Sequence, residues 1–262
     1  MNRLRTLAAL LCTAALAACG EKSEQNITAP TSGAFVKFFN FGVGAPNVNF
    51  YANGDKVTGV LSSTGQELTS GTGQGGAADG GFYSVLAPGS YSFTGHIAAV
   101  VDSNLTIATV PGTLADGKLY SFYLSGPYNT TTKTIDGFLV EDALPNANGV
   151  VADYAGAYVR FVNAISNSSP MTLYAKSTSD TTQAENTIGT AVAYKSAGSF
   201  VKIPAGTYTL TTRVAGSSTN VITRTGVSFA IGRVYTIGAR GDITVTSTTS
   251  ANRPQLDNTA NR

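Results

Sequence analysis

Few side chains in this 262-residue sequence are equipped for chemistry. It has one histidine, His96, two cysteines, Cys12 and Cys19, and 15 scattered acids. A nucleophilic triad needs His between a nucleophile and a carboxylate. Ser92 or Ser103 with Asp102 offers the right types, but Asp102 and Ser103 read as neighbours in one loop. No Gly-x-Ser-x-Gly elbow occurs either. His96 therefore reads as a strand-end histidine. A histidine-based zinc site fails on count. Glu141, Asp142 and Asp153 carry the oxygen ligands that calcium takes. They lack an Asp-x-Asp-x-Asp-Gly loop and are expected on a solvated linker. A glycosidase needs two carboxylates across one cleft, and no spacing points to such a pair. The expectation is no catalytic residue, no metal ligand and no cofactor.

Cys19 is different, because of what precedes it. Arg3 and Arg5 form a basic start, Leu7 to Leu16 a short apolar run, and Leu16-Ala17-Ala18-Cys19 the close. The run is too short for a bilayer, which takes about 20 apolar residues, and has the shape of a secretory signal peptide. Its ending resembles the lipobox of bacterial lipoproteins. That resemblance implies a diacylglycerol thioether on Cys19, cleavage before it and acylation of the new amine, with Leu16, Ala17 and Ala18 as the recognition residues. Cys12 would leave with the signal. Two or three acyl chains give a stable anchor, where one alone is marginal. Gly20, not Asp, follows; in lipoproteins of enteric-type bacteria this implies the outer membrane.

Composition fits an extracytoplasmic β-protein: 42% hydrophobic, 12% charged, 29 Gly, 12 Tyr and 12 Phe. Average soluble domains carry roughly twice that charge, while disordered chains are poorer in apolar residues. A blocked Cys19 leaves no thiol for a disulfide. Loss of Arg3 and Arg5 reduces the 17 basic residues to 15, equal to the acids. A neutral mature chain argues against a nucleic-acid partner.

The remainder repeats. Ala34-Phe-Val-Lys-Phe-Phe-Asn40 returns as Ala157-Tyr-Val-Arg-Phe-Val-Asn163, and Val48-Asn-Phe-Tyr51 as Met171-Thr-Leu-Tyr174. Pro88-Gly-Ser-Tyr91 returns as Pro204-Ala-Gly-Thr-Tyr208, and the run from Leu119 to Gly126 as that from Val234 to Gly241. So long a period means two tandem domains, not a solenoid. Ser90–Thr94 and Thr207–Thr211 alternate apolar and hydroxyl residues, the period of half-buried strands. Val36 and Phe38 face one way and Lys37 the other; Val159, Phe161 and Arg160 repeat this. Asn53-Gly54 suits a tight hairpin. The expected fold class is all-β: two antiparallel, Ig-like β-sandwiches of about seven or eight strands each. The expected order is a signal peptide (1–18), a lipidated tether (19–33), domain 1 (34–145), a linker (146–156), domain 2 (157–246) and a polar tail (247–262). A flexible tether of this length spans on the order of 20 Å.

Residues 157–163, 204–208 and 232–236, and more loosely 34–40, 88–91 and 117–121, resemble the bacterial domain-of-unknown-function family four-three-nine-seven. The resemblance implies a secreted or surface-tethered β-domain and lends no catalytic residue. Domain 1 departs from it with a Gly-rich insertion, Gly65 to Gly81, expected as a mobile surface loop. Tyr83, Tyr123 and Tyr128 are expected to be exposed faces for sugars. Arg240-Gly241-Asp242 spells the integrin-binding tripeptide and reads as incidental, since short motifs recur by chance. The functional expectation is a non-catalytic envelope lipoprotein, held to the membrane by its lipid, with an envelope protein or glycan as partner. The alternatives are a carboxylate-based extracytoplasmic hydrolase and a surface adhesin.

Overall fold

Alternation along the strands decides the architecture, because successive side chains point to opposite faces. The computed structural model describes residues 32–59, 70–145 and 155–261. The expected signal peptide, Cys19, most of the tether, Gly65 and Asp153 lie outside them. In the first half the strands are β1 (Ala34–Asn40), β2 (Val48–Ala52), β3 (Asp55–Lys56), β4 (Gly76–Ala77), β5 (Ser84–Leu86), β6 (Gly89–Ile97), β7 (Thr106–Leu114), β8 (Leu119–Asn129) and β9 (Thr134–Glu141). The second half holds β10 (Ala157–Asn163), β11 (Met171–Ser177), β12 (Asn186–Val192), β13 (Ser196–Ala197), β14 (Val201–Ile203), β15 (Gly206–Val214), β16 (Ile222–Phe229), β17 (Val234–Arg240) and β18 (Gln255–Ala260). The chain is all-β, as its sequence pattern requires.

Each half is two sheets over a core. The first stacks the order β3-β2-β6-β7 on β4-β1-β8-β9, with β5 beside β4 along β1; the second stacks β12-β11-β15-β16 on β13-β10-β17-β18, with β14 beside β13. Val36, Phe38, Phe50, Phe93 and Phe122 fill the first core, and Val159, Phe161, Leu173, Leu210 and Ile237 the second. The first is aromatic, with Phe38 and Phe50 ring centroids 5.2 Å apart. Asn53 and Gly54 turn the β2–β3 hairpin with φ of 51° and 90°, as a type I′ turn requires.

Three details differ from the sequence expectation. Both ladders β1–β8 and β10–β17 are parallel within otherwise antiparallel sheets. A parallel pair needs a long crossover, and the outer sheet of each half supplies it. The polar segment expected as a loose tail from 247 instead forms β18, paired antiparallel along β17 with Leu256 buried. Of the Gly-rich segment expected as a mobile surface loop, residues 70–81 are built into the fold. Gly75 donates its N–H to Asn40 O at 2.6 Å, and β4 pairs with β1.

The halves are not beads on a string, since Gly33 to Arg262 form one compact unit. The backs of the two inner sheets meet, making a four-layered body. Phe39, Phe41, Tyr123 and Phe138 pack with Val162 and Ala164 in a third apolar core. Tyr123 lies stacked between Phe39 at 4.6 Å and Phe138 at 5.0 Å. It is buried, not the exposed platform its type suggested.

Candidate functional site

The same alternation that sends Val36 and Phe38 inward sends Lys37 out of the first sandwich, and Arg160 leaves the second in the same way. Both are almost wholly covered. Lys37 and Arg160 are each 2% exposed, because the facing half covers them. Their neighbours in the parallel ladders are Ser121 and Thr236. Asp142 follows β9 as Asn261 follows β18. These six, with Tyr83, form one polar cluster between the halves.

A buried charge is tolerated only when paired and hydrogen-bonded. Arg160 meets that condition completely. Its Nη2 pairs with Asp142 Oδ1, its Nη1 donates to Glu141 O at 2.9 Å and its Nε to Thr236 Oγ1 at 2.9 Å. The other Asp142 oxygen accepts from Ser121 Oγ at 2.8 Å and Tyr83 OH at 2.7 Å. Asn261 closes the network, donating from Nδ2 to Tyr83 OH at 2.8 Å and accepting from Thr236 Oγ1 at 2.7 Å. Asp142 was expected on a solvated linker. It is instead the buried counter-ion of this cluster, 1% exposed.

The cluster is nearly two-fold symmetric. Arg160 crosses to the carbonyl of Glu141, the last residue of β9; Lys37 crosses to that of Ala260, the last of β18. Arg160 lies over the Phe200 ring at 4.9 Å and Lys37 over the Tyr83 ring at 4.4 Å. Burial brings the Lys37 amine down to about 8; Asp142 opposes that shift and Arg160 adds to it. Burial and then Asp142 push the Tyr83 phenol far up. Truncating Asn261 to alanine strips one partner from each of Thr236 and Tyr83. The expected cost is about 1–3 kcal/mol of stability in urea titrations.

Beside Lys37 the halves leave a cavity of about 460 Å³, walled by Phe82, Tyr83, Arg233, Asn258 and Asn261. Phe82 is 78% exposed at its rim.

The residues singled out by type are placed elsewhere. His96 Nε2 lies 2.9 Å from Thr94 Oγ1 and 3.1 Å from Thr106 Oγ1, and its ring stacks on Tyr51 at 4.1 Å. Burial lowers its pKa. Asp102 pairs with Lys133 at 2.9 Å. Arg213, opposite Thr172 as His96 is opposite Asn49, lies over the Tyr174 ring at 4.3 Å. In the tripeptide, Arg240 pairs with Asp257, and Asp242 accepts from Asn167 Nδ2 at 2.8 Å. Gln74, in the Gly-rich segment, donates to Asn252 Oδ1 at 2.8 Å in the other half. Tyr128 is half-buried against the first core. Among the described residues no three His, Cys, Asp or Glu side chains group to hold a metal ion.

No curated protein matches the chain. Among solved structures, the C-terminal domain of AlgF from P. aeruginosa is similar at 20% identity over 40% of this chain and 98% of that one, with a TM-score of 0.27. The human-specific toxin intermedilysin is similar at 9% identity over 72% of this chain, with a TM-score of 0.24, and the match takes in 33% of the toxin chain. Residues 157–261, which span β10 to β18, match the model of the family described as Domain of unknown function (DUF4397).

Proposed function

We propose that this protein is a lipid-anchored component of a bacterial cell envelope. In this reading two tandem domains of that family form one non-catalytic binding or structural body. The anchor is Cys19, read by the export machinery through Leu16, Ala17 and Ala18. Its acyl chains make the membrane the first partner, with the outer membrane as the site and an envelope protein or glycan as the second partner. One observation carries the non-catalytic reading. The buried ionisable pair Asp142–Arg160 is spent on joining the halves, each group already holding several hydrogen bonds. A catalytic acid or base needs a free edge within reach of substrate.

The anchor is tested by growing cells with a clickable fatty acid. The wild-type protein should take up the label and partition with membranes, and Cys19→Ser should do neither. Continued labelling of Cys19→Ser would overturn the assignment.

A further inference from the structure

We infer that the cavity between Lys37, Arg233 and Phe82 is a binding site for a small amphiphilic carboxylate, an anionic head on an apolar or aromatic body. Charge is the first argument. The Lys37 ammonium has three donors, and among the described residues its one hydrogen-bond acceptor is Ala260 O. Asp142 does not reach it as an ion pair, being held by Arg160, Ser121 and Tyr83. Arg233, on the same wall, has no ion pair among the described residues. Two cations thus face one cavity with no carboxylate assigned to either. Lys37 is the buried one of the two, and a cation withdrawn from water without a carboxylate costs free energy that an entering anion returns; Arg233 is solvent-exposed and adds a second positive charge at the mouth.

Shape and polarity supply the second argument independently. Among the described residues, Phe82 is the one aromatic side chain of the strongly exposed large apolar residues. It stands at the rim of this cavity, with Ala77, Gly80 and Gly81 beside it. An apolar body laid against Phe82 and Tyr83 covers that surface. The volume of about 460 Å³ falls in the range of small-molecule sites. The head therefore sits toward Lys37 and Arg233, and the body toward Phe82.

This site deepens the binding role proposed above, and acylation of Cys19 is read separately, so either can fail alone. Isothermal titration of the purified full chain at pH 7 uses benzoate and hexanoate, with benzamide as the neutral match and acetate as the bodiless one. Benzoate and hexanoate should bind one per chain with Kd of about 1 mM or tighter. Benzamide and acetate should bind at least about tenfold more weakly. Lys37→Met should weaken benzoate about tenfold. Phe82→Ala, a surface change that leaves folding untouched, should weaken it about fivefold. Equal binding of benzoate and benzamide, no saturable binding of benzoate, or benzoate affinity unchanged in Phe82→Ala would each overturn the site.

Discussion

Asp142→Ala should cost about 3–5 kcal/mol of folding stability, the range for breaking one side of a buried ion pair. The cost arises less from the lost attraction than from what stays behind. Arg160 would keep its guanidinium at 2% exposure with no carboxylate, and Ser121 and Tyr83 would lose their acceptor. Removing both charges tells a different story. Asp142→Leu with Arg160→Met replaces the pair by apolar groups of similar length, and such exchanges are often neutral. The double variant should lie closer to wild type than either single one, a coupling read from a urea-denaturation cycle. Lys195→Ala is the control. Its pair with Asp136 is about two-fifths exposed at the lysine, so its removal should change stability by about 1 kcal/mol or less. A loss below 1 kcal/mol for Asp142→Ala would show that the halves do not depend on this pair.

Stability should also rise with pH between about 8 and 10, which is unusual for a protein. The Lys37 amine titrates near 8 when folded, against 10.5 as its ordinary value. Across that window the unfolded chain holds the proton that the folded chain has released, so raising the pH favours folding. The contribution is complete above the unfolded value and is lost as pH falls through the folded one. Its size is at most about 3.5 kcal/mol, from the spacing of the two values. Above pH 10 the sign reverses. Burial holds Tyr83 and Tyr123 far above their ordinary value and Tyr194 up to about 12, so the unfolded chain then releases protons first. Denaturation free energies measured from pH 7 to 11 should pass through a maximum near 10. Lys37→Met should abolish the rising limb and keep the fall. A flat profile for the wild type would mean that Lys37 is hydrated in solution.

Alternation made the strands legible, and it placed Val36, Phe38, Val159 and Phe161 on the inner faces, where they lie. It did not reveal the parallel ladders, because period two specifies which face a residue occupies and not which strand lies beside it. It also left open what the outward positions meet. A charged residue facing away from one sandwich looks the same whether water or a second sandwich lies beyond. Lys37 and Arg160 nevertheless carried a usable signal: a cation at one position in both copies, flanked by apolar residues. The tail was missed because β18 is an edge strand with one deeply buried apolar side chain, Leu256, too little to set a period. Asp142 was hidden by sitting just past a strand, where acids are ordinarily solvated.

The near-symmetry of the central cluster bears on which bodies can associate at all. Two copies of the second half, joined in the same way, would face each Arg160 with an Asn261 amide where the first half presents Asp142. Two guanidinium groups would then be sequestered without an anion, at a penalty of several kcal/mol each. The unlike pairing supplies the missing carboxylate once and leaves the smaller ammonium on the other side. The difference between Asp142 and Asn261 thus disfavours the pairing of two second halves, the one combination that leaves both guanidinium groups without a carboxylate.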